Sequence, residues 1–181
     1  MRFRHQLFFV FLLSVGLVNA QKYSATKGEI SFTSNAILEL IKASSSKVQG
    51  VLDTSTGQFA FLVKVQSFEG FNSNLQREHF NEKYLETDKF YDATFTGKLV
   101  EDIDFLKDGT YDVSAKGTLV IHGKKQPRTI TGKITVEKGK LKIDSDFKVL
   151  LADHDIKIPT IISEKVATEI YIKLAIWMAS K

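Results

Sequence analysis

From Lys140 to Leu151 apolar and polar side chains alternate with hardly a break. Leu141, Ile143, Phe147, Val149 and Leu151 take the odd positions, and Lys140, Lys142, Asp144, Asp146 and Lys148 the even ones. A period of two sends successive side chains to opposite faces, so this stretch is expected to be a strand with one buried face. The same rhythm places Tyr111, Val113, Ala115, Gly117, Leu119 and Ile121 on one side of a second strand. Ile130, Gly132, Ile134 and Val136 mark a third, Ile170, Ile172, Leu174 and Ile176 a fourth, and Phe59, Phe61, Val63 and Val65 an earlier one. Turn signals separate them at Asp53–Gly57, Asp108-Gly109, His122-Gly123 and Lys138-Gly139, and such short separations make antiparallel hairpins.

One interior segment departs from this rhythm. Ser73 to Glu86 carries Leu75, His79, Phe80, Tyr84 and Leu85 among polar residues, a spacing that suits a short helix. Ser73 followed by Gln76 resembles a capping box. Ile37 to Ala43 is read as a helical turn or an irregular strand.

Six to eight amphipathic antiparallel strands must bury their apolar faces together, in a two-sheet sandwich or a closed barrel. A barrel of about eight strands removes exposed edges and has room for one small ligand. Ala115, Gly117 and Gly132 on inward faces would thin the packing and leave space for cargo, unless larger side chains opposite fill it. The residue pattern leaves that choice open.

The first twenty residues have a different character. Arg2 and Arg4 precede the apolar run Leu7 to Val18, and Val18-Asn19-Ala20 follows as a small-residue ending. That is the form of a secretory leader cleaved near Ala20, and the run is too short for a membrane span. Residues 1–20 are therefore expected as signal peptide, 21–181 as one domain, and the location as periplasmic or extracellular. The formal charge of +4 loses Arg2 and Arg4 on cleavage, leaving +2 and no block of like charges, so a nucleic-acid partner is not expected. With no cysteine in the chain, disulfides, thiolate metal sites and cysteine nucleophiles are excluded.

Catalytic signatures are scarce. No H-E-x-x-H spacing, nucleophile elbow or phosphate loop is present. Asp153-His154-Asp155 carries metal-binding side chains, but neighbours on an extended chain point to opposite sides, and a polar loop before Pro159 explains them as well. Ser44-Ser45-Ser46 reads as solvated loop, and Glu78 and Glu82 as a solvated helix face. The balance favours a binder without enzymatic activity, metal or cofactor.

Two stretches carry a resemblance. Arg77-Glu78-His79-Phe80 with Phe90-Tyr91-Asp92-Ala93-Thr94-Phe95, and Leu119 to Pro127 with its His122-Gly123 and Pro127, are similar to motifs of the YceI-like family. Asp155-Ile156-Lys157-Ile158-Pro159 resembles a further segment of that family. These are exported bacterial proteins described as binding lipids or polyisoprenoids. The resemblance implies an all-β, lipocalin-like antiparallel barrel with one or two short helices and a tubular apolar interior for a long isoprenoid or acyl chain.

Strand alternation then supplies candidate wall residues: Phe59, Phe61, Tyr111, Val113, Leu119, Ile121, Leu141, Ile143 and Phe147. The helix near Leu75–Leu85 would cover one mouth, where Arg77, His79, Phe80 and Tyr84 would meet a head group. The alternative is a solidly packed envelope interaction or stress-response module without lipid cargo. The oligomeric state stays open, a homodimer included.

Overall fold

The computed structural model describes residues 21–180. Nine strands carry most of the chain: β1 (Lys22–Asn35), β2 (Leu40–Ser45), β3 (Gln49–Asp53), β4 (Gln58–Lys64), β5 (Asp92–Leu99), β6 (Gly109–Ile121), β7 (Lys124–Glu137), β8 (Lys140–Leu150) and β9 (Glu169–Ser180). Between β4 and β5 lie a short helix, α1 (Asn74–His79), and the π-helical turn Phe80–Tyr84 that continues it. Ser73 caps α1 by accepting from the Gln76 amide at 3.2 Å. The Gln76 side chain reaches back to the Asn72 amide, one residue before the position a capping box would use.

Eight strands, β1 and β3 to β9, form a closed antiparallel barrel. β1 does double duty on one flank. Its first residues pair with β3, from Lys22 opposite Asp53 to Ser24 opposite Val51, and its last residues pair with the extra strand β2, from Ile30 opposite Ser45 to Asn35 opposite Leu40. Its other flank closes the barrel on β9, from Tyr23 opposite Ser180 to Thr33 opposite Tyr171.

β1 escaped the periodicity because its register shifts between Ala25 and Lys27. The extra residue moves inward positions from Tyr23 and Ala25 to Gly28, Ile30 and Phe32, so no single period of two runs through it. The segment left ambiguous at Ile37–Ala43 is the β1–β2 tip followed by the start of β2.

His122-Gly123 and Lys138-Gly139 are tight hairpin turns, with φ of 51° and 70° and of 49° and 73°. Asp108-Gly109, by contrast, ends a longer β5–β6 connection and opens β6.

The barrel interior is filled unequally. At the end holding the β7–β8 turn and the β9 C-terminus, Tyr23, Leu52, Ile134, Leu141, Ile176 and Met178 are each at most 1% exposed and form a solid plug. Toward the α1 end the inward residues Phe32, Phe61, Phe95, Ile143 and Phe147 are only half-buried, although their strands are fully built into the barrel.

Gly117 does not enlarge that space. It faces Gly97 across the β5–β6 ladder, and a β-carbon on Gly117 would stand 2.3 Å from the Thr96 carbonyl oxygen. The glycine pair lets the two backbones approach closely at this point of the ladder. β7 and β8 do the opposite. Their ladder ends where Lys133 meets Asp144, and beyond it β7 pairs only with β6 and β8 only with β9. Ser145 Oγ donates to the Thr131 carbonyl and the Arg128 guanidinium to the Lys148 carbonyl, both at 2.7 Å, so side chains span the seam.

Gly117→Val has to move backbone rather than a side chain, so it is expected to cost at least about 2 kcal/mol. Urea unfolding monitored by circular dichroism reads this loss. Val120→Thr on the same strand, half-buried and not facing Gly97, serves as the control with little change.

Candidate functional site

Above the plug the barrel encloses a cavity of about 260 Å³ to which all nine strands contribute side chains. Its wall is almost wholly hydrocarbon, with Ser34, Gln76, Tyr84, Thr94, Thr131 and Ser145 as the residues that carry polar groups. Apolar cavities of about 150 Å³ already accept benzene-sized ligands, so this one has room for a longer chain.

Seven residues singled out by alternation line it: Phe59, Phe61, Val113, Leu119, Ile121, Ile143 and Phe147. Tyr111 and Leu141 lie on the same inward faces but at the plugged end. Leu141 is fully buried there, and the Tyr111 hydroxyl donates to the Lys107 carbonyl at 2.9 Å. Ala115 and Gly132 do face the cavity, while Gly117 does not.

Phe80 and Tyr84 reach the cavity from the π-helical turn, and burial pushes the Tyr84 hydroxyl pKa above its ordinary value. Arg77 and His79 do not line it. Arg77 is exposed over a polar depression and donates weakly to the Gln66 carbonyl at 3.5 Å.

Alternation missed part of the wall. Ile30, Phe32 and Ser34 sit on the bulged strand β1. Phe32, Phe68, Phe71 and Phe80 form a cluster under α1, with Phe32 and Phe80 stacked at 5.4 Å and 15°. These four come from three separate elements, so no local spacing announces them. Ile156 and Ile158 in the β8–β9 connection alternate with Asp155 and Lys157, and that pattern was visible in the sequence.

Polar contacts hold the cavity's lid. His122, at the β6–β7 turn, places Nε2 at 2.9 Å from Glu86 Oε2 and Nδ1 at 3.1 Å from the His154 carbonyl. Both partners are acceptors, so only the doubly protonated ring donates to each. Phe90 packs edge-on to the His122 ring at 4.6 Å, and Gly123 leaves room for Phe90, since a β-carbon would meet it at 2.6 Å.

Hydrogen bonds from Lys89 and His122 hold the Glu86 carboxyl below its usual value. Asp155 pairs with Lys124, which lowers its pKa, and Asp153 lies 3.9 Å from Arg128. The three residues Asp153-His154-Asp155 thus point apart, and among the described residues no group of three metal-binding side chains gathers.

His154 itself is completely buried. Its ring nitrogens lie beside the backbone of Ile121 and Lys124 without good hydrogen-bond geometry, and burial lowers its pKa.

A sequence model of the YceI-like domain matches residues 22–177. The chain belongs to the YceI-like family. No curated protein matches it. Among solved structures it is similar to a polyisoprenoid-binding domain from Saccharophagus degradans implicated in plant cell wall breakdown. That likeness has a TM-score of 0.75 at 14% identity, over 88% of this chain and 98% of the other. BcnA from Burkholderia cenocepacia superposes with a TM-score of 0.69 at 15% identity, covering 83% of this chain and 95% of that one. A YceI protein from Campylobacter jejuni gives 0.55 at 16% identity, over 100% and 91% of the two chains. At these identities the likeness establishes the barrel fold, and the family membership agrees with a binding protein.

A buried imidazole with a lowered pKa leaves the unfolded chain to take up the proton first, so stability falls as pH drops below about 6.5. The urea midpoint is therefore expected to decrease from neutral toward acid pH. In His154→Leu that decrease is expected to shrink. An unchanged slope would assign the acid sensitivity to other groups.

Proposed function

We propose that the protein binds a long apolar lipid of isoprenoid or fatty-acyl type inside its barrel, without catalysing a reaction on it. The observation that carries this reading is the apolar cavity above the plug, whose walls are buried and half-buried aromatic and aliphatic side chains.

Energetics support an occupant. A void in a protein interior costs about 24 cal/mol per Å³ on the scale of core truncations. For about 260 Å³ that comes to about 6 kcal/mol, a large part of a domain's stability. Each methylene transferred into the wall contributes about 0.8 kcal/mol, so a chain binds through length and shape with little need for polar contacts.

Phe59, Phe61, Val113, Leu119, Ile121, Ile143 and Phe147 form the proposed contact wall, with Phe80 and Tyr84 at the mouth. In this reading Tyr111 and Leu141 set the tube's depth by filling its lower end. Ser34, Gln76 and Tyr84 are the polar groups best placed to meet a head group, with Arg77 and His79 further out. Export to the cell envelope, with a leader ending near Ala20, belongs to the same proposal, but residues 1–20 lie outside the described residues. No helix among the described residues is long and apolar enough to cross a membrane. A packed interaction or stress module would have its interior filled from end to end, and the cavity argues against that alternative.

Organic extraction of the purified protein followed by mass spectrometry is expected to recover a long-chain lipid. Repeated recovery of none, with no uptake of isoprenoid or acyl probes, would overturn the proposal. Ala115→Phe places a ring where space already exists, so it is expected to stay folded and to lose at least about tenfold in probe affinity as buried methylenes are displaced. Removing the cargo is expected to lower Tm by about 10 °C or more, since about 2–4 °C accompanies each kcal/mol at this chain length.

A further inference from the structure

The cavity's open end carries apolar side chains that nothing in the fold uses. Ile37 and Leu38 at the β1–β2 tip are 85% and 63% exposed, Ile161 in the β8–β9 connection is 92% exposed, and Leu75 on α1 is 58% exposed. Hydrogen bonds tie these three elements into one rim. The Leu38 amide donates to the Glu164 carbonyl at 2.8 Å, Gln76 Nε2 to Glu39 Oε1 at 2.9 Å, and the Ala167 amide to Ser34 Oγ at 2.9 Å. Ser34, Gln76 and Val166, next to these contacts, line the cavity itself. The exposed tips therefore surround the way in.

Single exposed apolar residues are common on protein surfaces, but a rigid group of them around the mouth of an apolar tube marks an interaction site. The charges beside them suggest the partner. Lys157 and Lys165 are exposed in the same connection as Ile161 and have no ion-pair partner among the described residues. The Glu39 carboxylate is turned inward to Gln76 and Asn72, and Asp153 and Asp155 lie against Arg128 and Lys124, which leaves Glu164 and, on α1, Glu78 beside the basic Lys157, Lys165 and Arg77. Apolar tips with unpaired lysines behind them match the layering of a bilayer surface, with hydrocarbon beneath anionic head groups.

We infer that the barrel docks mouth-down on a lipid bilayer bearing anionic head groups. Ile37, Leu38 and Ile161 enter the acyl boundary, while Lys157 and Lys165 rest on the head groups. This inference rests on the lipid-binding reading above and extends it. A chain passing between bilayer and barrel in this pose would move from one hydrocarbon environment to another, and its apolar length would not cross water.

Flotation with mixed phosphatidylcholine and phosphatidylglycerol vesicles tests the docking. The wild-type chain is expected to float. The Ile37→Ser, Leu38→Ser, Ile161→Ser triple variant is expected to lose at least about tenfold in bound fraction, because these positions lose the apolar area they would bury. Wild type and variant share the same N-terminus, so the difference reports the tips alone.

The single tryptophan, Trp177, lies near the plugged end of β9 and serves as a reference. Brominated lipid is expected to quench Ile161→Trp strongly and Trp177 in the wild type hardly at all. Equal flotation of the triple variant, or quenching of Trp177 alone, would overturn the pose. So would a concentration-dependent dimer that the triple variant abolishes while neither chain floats, since the tips would then cover a second copy.

A polyisoprenol probe separates this idea from the cargo reading. The triple variant is expected to take up detergent-dispersed probe as the wild type does, but to extract it from vesicles more slowly. Uptake by neither chain from either source would remove the cargo reading, while flotation would still judge the docking.

Discussion

The β1–β9 ladder, running from Tyr23 opposite Ser180 to Thr33 opposite Tyr171, turns a sheet into a tube, and the site depends on that closure. In an open sheet the inward residues of β4 to β8 would face water or a second layer. Once the sheet closes on itself, eight inner faces converge on one axis, and the side chains available decide how much of the lumen is filled. Closure also leaves β2 as an added strand on the mouth half of β1. The strand therefore extends the wall beside the opening, where its Ile41 lines the cavity.

Two kinds of filling follow from the same closure. Where Tyr23, Leu52, Leu141, Ile176 and Met178 meet, large side chains fill the lumen and supply the core on which a protein without disulfides relies. Further up, Ala115 and Gly132 give the lumen less volume than the barrel encloses, and the cavity results. Stability and binding are thus segregated along the barrel axis. One end is packed at the density usual for protein interiors, and the other gives up part of that packing for a ligand-sized space.

Above the cavity, polar contacts do what apolar packing does below it. The His122–Glu86 bond ties the β6–β7 turn to the segment after the π-helical turn, the Lys124–Asp155 pair ties it to the β8–β9 connection, and the Arg128 contact to the Lys148 carbonyl spans the β7–β8 seam. These contacts are directional and partly exposed, so each is weaker than a packed interface. They surround the fully buried His154, whose ring gains no well-formed partner from them.

The alternation of Leu141 to Leu151 and of Tyr111 to Ile121 determined strands, their inward faces and the hairpins at His122-Gly123 and Lys138-Gly139, because side-chain period and turn chemistry are local properties. That was enough to name seven residues of the cavity wall, and the stretches Arg77–Phe95 and Leu119–Pro127 together suggested the family. Other features depended on partners remote in the chain. Gly117 looked like a gap in the lining, but Gly97 opposite made it a point of backbone contact. Tyr111 and Leu141 shared a face with Val113 and Ile143, and only their height along the barrel separated plug from cavity. The bulge in β1 hid Phe32 from any single period, and stacking on Phe80 required α1 to fold back over the mouth. The sequence alone determined which way each strand faces. Which inward residues touch one another, and which face open space, was decided by register and closure, because those distances are set by the whole barrel and by no single strand.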